Sequence, residues 1–118
     1  MASFTFKQGK PVEILVTPDA DTAAGAAIEV GDIPAIAHSP VTVDPDRPGS
    51  FFVGPARYSA TQTGVAAFDA GEAVYLLDGN IAKAGKHFGF AAEAIIASAD
   101  EVSFSVVHNP NGSVAAAA

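Results

Sequence analysis

The chain contains no cysteine. This absence excludes a disulfide framework, a thiolate nucleophile and every zinc or iron–sulfur site that depends on cysteine ligands. At 118 residues the chain has the length of one ordinary domain. A domain of this length buries roughly two-thirds of the surface that its unfolded chain exposes. We therefore expect a single core that needs neither disulfides nor a metal.

Basic residues are few and scattered. The chain has 13 acidic side chains against 6 basic ones, and its net charge is −7. The basic residues are spread along the chain at Lys7, Lys10, Arg47, Arg57, Lys83 and Lys86. Because a phosphate-binding surface needs clustered positive charge, we expect no nucleic-acid partner.

Long apolar runs are also lacking. The runs that exist are too short to span a bilayer, and the amino terminus MASFTFKQGK lacks the long apolar segment of a secretory signal. We therefore expect a protein made in a cytoplasm with no membrane partner. Charged residues make up only 16% of the chain while apolar residues make up 49%, which favours an oligomer or another partner that covers apolar surface.

Glycine and proline recur at short intervals, with brief apolar runs between them. Residues 11–17 are rich in β-branched side chains and predict a strand, and residues 74–77 predict a buried one. Asp78-Gly79 after the second run is a hairpin signal. Pro34 indicates an edge or bulge, because proline cannot donate to a ladder. The pattern predicts an all-β fold, namely a small single-domain β-sandwich or barrel of short antiparallel strands.

Three segments are expected along the chain. An extended amino-terminal arm covers residues 1–10, the β domain covers residues 11–108, and a flexible carboxyl-terminal tail covers residues 109–118.

An internal similarity links two segments. AGAAIEV at residues 24–30 resembles AGEAVYL at residues 70–76, since each has an Ala-Gly step followed by an alternating apolar run. Two interpretations remain open. Small residues recur by chance in an alanine-rich chain, or the segments form two equivalent corners that lead from a turn into a strand.

The stretch GKHFGFAAEAIIASADEVSFSVVH at residues 85–108 invites a nucleotide-binding interpretation. A P-loop needs a serine or threonine after Gly-Lys and a glycine four residues earlier, and neither is present. Propensity alone favours a helix at residues 91–99, whereas the alternation of apolar residues favours strands. We predict a terminal hairpin with a tight turn at residues 98–100, and the alternative is a helical turn at residues 94–99.

Chemistry-bearing residues form no recognisable site. His38, His87 and His108 are far apart in sequence, without the spacing of a metal-binding pair. The aspartate pairs at residues 19–21 and 44–46 lack the glycine and distal glutamate of a calcium loop. No serine lies in a nucleophile elbow. We therefore assign no catalytic, cofactor-binding or metal-binding residue and expect a protein that is not an enzyme.

The order of short motifs resembles the DUF2190 family of small phage capsid cement or decoration proteins. The motifs are GKPVEI at 9–14, AG at 24–25, VGD at 30–32, IPAIA at 33–37, VG at 53–54, FDAGEAVY at 68–75, HFGFA at 87–91 and EVSFSV at 101–106. Glu72 stands where the family usually carries aspartate, and the proline-rich loop at residues 38–50 is longer than is typical.

The resemblance implies a non-enzymatic protein on the outer surface of an icosahedral phage head. It would clamp neighbouring major capsid subunits, and such proteins commonly assemble as trimers at symmetry axes. The major capsid protein and further copies of the chain are therefore the expected partners, and the outer capsid surface of the virion is the expected location, reached after synthesis in the host cytoplasm.

Candidate interface residues lie in two segments. Phe4, Phe6 and Lys7 belong either to a mobile arm that becomes ordered against a partner or to an ordinary edge strand. Arg47 lies at the tip of the proline-rich loop, which is either a preorganised contact or a solvated loop, and Phe51 follows it.

Two rival functions remain. One is another virion component of similar architecture, such as a head–tail connector or a tail protein. The other is a small enzyme or ligand-binding β-barrel, for which a deep pocket lined by His87, Tyr75 or Glu93 is expected.

Overall fold

The apolar runs between the glycines and prolines form strands. The computed structural model describes residues 2–31 and 33–110 together with the backbone of residues 114–115, and this part of the chain contains no helix. Its strands, β1 to β11 in chain order, are Ser3–Gly9, Val12–Val16, Ala27–Val30, Ile33–Ala37, Gly49–Val53, Ala56–Val65, Ala73–Leu77, Asn80–Ala82, Gly85–Ala91, Ser98–His108 and Val114–Ala115. The predicted all-β fold of short antiparallel strands is confirmed.

The strands form two antiparallel sheets. The large sheet has the order β1-β6-β10-β9-β7-β8, with β11 paired to β9, and the small sheet has the order β2-β5-β4-β3. The main core includes Tyr58 and Phe88 from the large sheet and Ile36 from the small sheet, each at most 1% exposed. The two sheets therefore share one core, as in a sandwich.

Both sheets contain the same four-stranded unit. The small sheet places its first strand beside its fourth, then its third, then its second, and the large sheet repeats that order as β6-β10-β9-β7. The registers correspond, because Phe51 of β5 lies opposite Ala37 of β4 and Val106 of β10 lies opposite Ala91 of β9. β1 and β8 are additions to the second unit, one at each of its outer edges.

A turn opens β3 in the first unit. The Ala26 N–H donates to the carbonyl of Ala23 (3.1 Å), and the Gly25 N–H donates to the carbonyl of Ala37 on β4 (3.0 Å). Gly25 has φ +81°, a conformation that favours glycine.

The turn before β7 repeats this geometry. The Glu72 N–H donates to the carbonyl of Asp69 (3.0 Å), and the Gly71 N–H donates to the carbonyl of Ala91 on β9 (2.8 Å). Gly71 has φ +84°. The two Ala-Gly steps therefore form equivalent corners, which is the second of the two interpretations of the internal similarity.

Residues 3–9 form an edge strand. β1 pairs antiparallel with β6 along its length, with Phe4 opposite Ala60 and a register shift between Phe6 and Gln8. This corrects the expectation of an extended arm, because Phe4 is buried by joining the main core. At the other end of the chain, Val114–Ala115 pairs with β9, and the rest of the expected flexible tail after Pro110 lies outside the described residues.

The predicted terminal hairpin is wrong in its turn. Residues 98–100 belong to β10 rather than to a tight turn, and β10 meets β9 only from Val106 to His108. The intervening residues 92–97 cross to the second corner, where Ile95 bridges Phe68. No helical turn forms at residues 94–99.

Two local predictions follow from turn chemistry and backbone donors. The hairpin at Asp78-Gly79 is confirmed, since Leu77 lies opposite Asn80 and both turn residues have positive φ. The prediction of an edge or bulge at Pro34 is wrong, since β4 lies between β3 and β5 and pairs with β3 without a register shift. However, β5 pairs with β4 only at Ile36 and Ala37. The ladder therefore needs no donor from Pro34, which explains how proline fits there.

Candidate functional site

Two of the predicted interface side chains lie inside the protein. Phe4 is 4% exposed and stacks on Phe88, with ring centroids 5.1 Å apart. Phe51 is fully buried at the centre of a second cluster, on the outer face of the small sheet, which Val41 helps to cover. This corrects the expectation that Phe4 and Phe51 contact a partner, because both already pack within their own chain.

The other three predicted residues are at the surface. Phe6 is 45% exposed, and Lys7 follows it at the register shift of β1. Arg47 is exposed in a turn of the proline-rich loop, where its backbone N–H donates to the backbone carbonyl of Asp44 (3.0 Å). The structure brings Phe6 together with residues that the sequence did not indicate.

An apolar surface patch surrounds Phe6. Its ring lies 6.4 Å from that of Phe52, whose other neighbour is the His38 ring at 4.7 Å. Phe52 lies opposite Glu13 of β2, and alternation along β2 places Leu15 on the same face. We call these four residues (Phe6, Leu15, His38 and Phe52) the Phe6 patch. Leu15 is 68% exposed, so the patch presents a large apolar side chain to solvent.

The outer edge of β2, beside this patch, has no described strand paired to it, and we call it the bare edge. β2 is an outermost strand, and its sequence VEILV carries neither lysine nor proline. Edge strands of soluble proteins usually carry such residues, because unpaired backbone groups invite another strand. Val12 on this strand is 59% exposed. Val12 lies on the opposite face of β2 from Leu15, so only the backbone edge of β2 adjoins the Phe6 patch, and the edge and the patch together suit a protein partner.

A groove of about 750 Å³ lies at the opposite edge of the small sheet, along β3. Its walls are β3, Val16 at the end of β2, the β2–β3 connection, and Leu76, Asp78 and Gly79 of the large sheet. None of His87, Tyr75 and Glu93 lines it. The pocket expected for a ligand-binding barrel is therefore not this groove.

Tyr58, Glu72 and His108 have shifted pKa values, each for a structural reason. Burial lowers the pKa of His108 to about 4, against a smaller opposing effect of its hydrogen bond to Pro34. Burial raises the pKa of Tyr58 to about 12. The pKa of Glu72 is lowered first by its hydrogen bond from Lys83 (2.7 Å) and then by that from the Asp69 N–H (2.9 Å).

The described residues do not gather these groups into one place. His38 lies beside Phe52, the His87 ring lies 5.6 Å from that of Tyr75, and His108 is in the core. Nowhere in residues 2–31 and 33–110 do three or more histidine, aspartate or glutamate side chains lie where they could hold a metal ion. No helix of the described chain is long and apolar enough to cross a membrane.

Comparison of the chain with protein-family models, with curated proteins and with solved structures finds no match in any of the three. The resemblance to the DUF2190 family therefore stays a prediction from the sequence.

Sequence reasoning missed Leu15 and Phe52. Phe51 and Phe52 are adjacent, and only the pairing of β5 with its neighbouring strands decides which of them reaches the protein surface. An available signal for Leu15 was the lack of lysine and proline in VEILV, which indicates a strand that needs a covering partner if it lies at an edge.

Proposed function

We propose that the chain is a capsid decoration (cement) protein. It binds the outer surface of an icosahedral phage head and stabilises contacts between neighbouring major capsid subunits, without enzymatic activity. The order of motifs shared with the DUF2190 family suggests this role. The observation that carries it on the structural side is the Phe6 patch, which lies beside the bare edge of β2 and offers a surface for a protein partner.

Such a surface suits repeated binding to a lattice. Leu15 is 68% exposed, and covering it removes apolar area from water at about 25 cal/mol per Å². A modest gain per copy is multiplied over the many equivalent sites of a shell, so the whole layer resists internal pressure. The net charge of −7 agrees with an outer position, away from packaged nucleic acid.

The assembly that we propose is a trimer. Closed rotational symmetry places identical copies around the threefold and quasi-threefold points of an icosahedral lattice. The mass in solution tests this assembly: a trimer has three times the 11.9 kDa of one chain. A measured mass of a single chain would contradict a trimer that forms in solution before the protein binds the capsid.

Addition of the purified protein to undecorated phage heads tests the function. We expect saturable binding over the whole shell and a head that withstands higher temperature before it releases its nucleic acid. Leu15→Ser is expected to weaken binding at least tenfold, because it removes the most exposed apolar side chain of the Phe6 patch.

Ile96→Ser is the matched control. Ile96 is 86% exposed in the β9–β10 connection, outside the patch, so this variant is expected to bind like the parent protein. Binding at one vertex only would favour a head–tail connector or tail component instead. No binding, or equal weakening by both variants, would contradict the proposed role of the patch.

A further inference from the structure

The outer edge of β3 is an unfilled strand position. β3 ends the small sheet, and the Ala37 N–H on β4 donates to the carbonyl of Ala26. Because an antiparallel ladder alternates its bonding sides, Ile28 and Val30 bond toward β4, while Ala27 and Glu29 direct their backbone groups outward. No described strand lies on that side of β3.

The second unit shows how this position is filled. β7 is the equivalent of β3, since each follows an equivalent corner, and β8 covers the outer edge of β7. β8 is antiparallel, with Tyr75 opposite Ala82 and Leu76 opposite Ile81. Ile81 is 3% exposed, so the added strand also contributes an apolar side chain to the core. Among the described strands, the first unit has no counterpart of β8.

The space beside β3 is large enough for such a strand. The groove of about 750 Å³ runs along the whole of β3 and falls in the usual size range of binding sites. Val16 and Ile28 supply apolar wall on the side of the small sheet, and Leu76 supplies it on the side of the large sheet. An extended segment in this groove would contact both sheets.

The acidic residues around the groove favour a positively charged ligand. Of the described residues that line it, Asp19, Asp21, Glu29 and Asp78 are acidic, and none is lysine, arginine or histidine. A second copy of the chain suits it poorly, because its own bare edge strand, β2, carries Glu13 and would bring like charge to Glu29. A segment with lysine or arginine would instead gain from the carboxylates.

We propose that the groove along β3 binds a basic, extended segment of a partner protein, which adds to the small sheet as an antiparallel strand. The segment carries an apolar residue opposite Val30, as Ile81 lies opposite Leu76 in the second unit. Backbone bonds to Ala27 and Glu29 supply the pairing, and the flanking carboxylates select for positive charge. The site stands apart from the Phe6 patch and does not depend on the decoration role.

Two synthetic peptides based on β8 test the site on the full-length protein labelled with ¹⁵N. The basic peptide is acetyl-KKNIAKK-amide, and the acidic peptide acetyl-EENIAEE-amide has the same centre. We expect the basic peptide to cause saturable shifts of the backbone amides of Ala27–Val30, with a dissociation constant on the order of 1 mM that weakens with added salt. The acidic peptide is expected to bind at least tenfold more weakly.

Glu29→Pro tests strand addition. This change removes the outward N–H that the ladder with β4 does not use, and it is expected to abolish the shifts. Glu29→Gln removes the same charge but keeps the donor, and is expected to weaken binding only about threefold. A basic peptide N-methylated at its alanine and its last lysine, which lie opposite Glu29 and Ala27, loses the donors that face β3 without any change to the protein, so it gives the same test if Glu29→Pro fails to fold.

Three results with the peptides would overturn the proposal. They are no saturable shift at Ala27–Val30, equal binding of the acidic and basic peptides, and unweakened binding of the N-methylated peptide. Shifts of the same amides on raising the protein concentration without peptide would identify a second copy as the occupant and would also overturn it. Since no phage head enters this experiment, its outcome is separate from that of the decoration role.

Discussion

His108 Nε2 lies 2.8 Å from the backbone oxygen of Pro34. A carbonyl oxygen can only accept, so Nε2 carries the proton and donates it. His108 ends β10 of the large sheet, whereas Pro34 lies in β4 of the small sheet. This bond satisfies the Pro34 carbonyl where the β4–β5 ladder has stopped, and it joins the two sheets inside the core.

The burial of His108 predicts a loss of stability in mild acid. Burial lowers the pKa of His108 from 6.5 to about 4, so the unfolded chain takes up a proton at a higher pH than the folded one does. The contribution of the neutral His108 ring to the free energy of unfolding is complete above pH 6.5. It is lost as the pH falls toward 4, by about 3 kcal/mol in all.

Urea denaturation of His108→Gln between pH 7 and pH 4 checks this, since glutamine can donate to Pro34 but does not titrate there. We expect a shallower loss of unfolding free energy with acid than in the parent protein. His38→Gln, at an exposed ring, is the matched control and should keep the parent slope. Equal slopes in the His108 variant and the parent would contradict the assignment.

Tyr58→Phe is expected to stabilise the protein at neutral pH. The Tyr58 hydroxyl is buried and has no hydrogen-bond partner among the described residues. Removing an unpaired buried polar group should raise the unfolding free energy by about 1 kcal/mol. Denaturation at pH 7 measures this, with Tyr75→Phe, at a half-buried ring, as the control.

The same variant should also change the behaviour in alkali. Burial raises the pKa of Tyr58 from 10.0 to about 12, so the unfolded chain loses this proton first as the pH rises. The parent protein should therefore lose stability between these two pH values, and Tyr58→Phe should lose less of it. A variant that is less stable than the parent at pH 7 would count against this description of Tyr58.

Gln62→Leu is expected to release β8. The buried Gln62 amide accepts from the Ile81 N–H (2.8 Å) and donates to the Ile81 carbonyl (3.0 Å). Leucine leaves both backbone groups without these partners, at a cost of about 2–4 kcal/mol. Hydrogen exchange at the Ile81 amide should become much faster. Gln8→Leu, at an exposed site in β1, is the control. An unchanged exchange rate at Ile81 in Gln62→Leu would contradict a stabilising role of these two hydrogen bonds.

Gly89→Ala is expected to disrupt the pairing of β9 with β10. An added Cβ would overlap the carbonyl oxygen of Val107, which is backbone and cannot turn aside. The expected loss is about 3 kcal/mol or more, or failure to fold. Gly71→Ala, in open space but at φ +84°, should cost only about 1–2 kcal/mol in thermal denaturation. An equal or smaller cost at Gly89 would contradict this packing.

The parts of the fold that local chemistry determines could be predicted from the sequence. The alternation of apolar residues and the Asp78-Gly79 pair are local patterns. The first predicts strands and the second a hairpin, and both elements are present. The turn at residues 98–100 was mispredicted because Ile95 pairs with the distant Phe68, which no local pattern reveals. The sequence alone does not determine whether Phe51 or Phe52 reaches the surface, because that depends on the register with another strand.

The groove along β3 had no local signal at all. Its walls come from β3, the connection before it and the turn after β7, which meet only in the folded chain. The internal similarity did offer a partial signal, since AGAAIEV and AGEAVYL mark equivalent strands. Only the sheet order shows that β8 follows one of them and that nothing takes its place beside the other.

Cryo-electron microscopy of the parent phage particle tests the proposed function most directly. The account predicts density for this two-sheet fold at many equivalent positions on the outer surface of the head. Leu15 and the rest of the Phe6 patch should lie against major capsid subunits. Absence of the fold from the shell, or its presence only at a single vertex, would contradict the account.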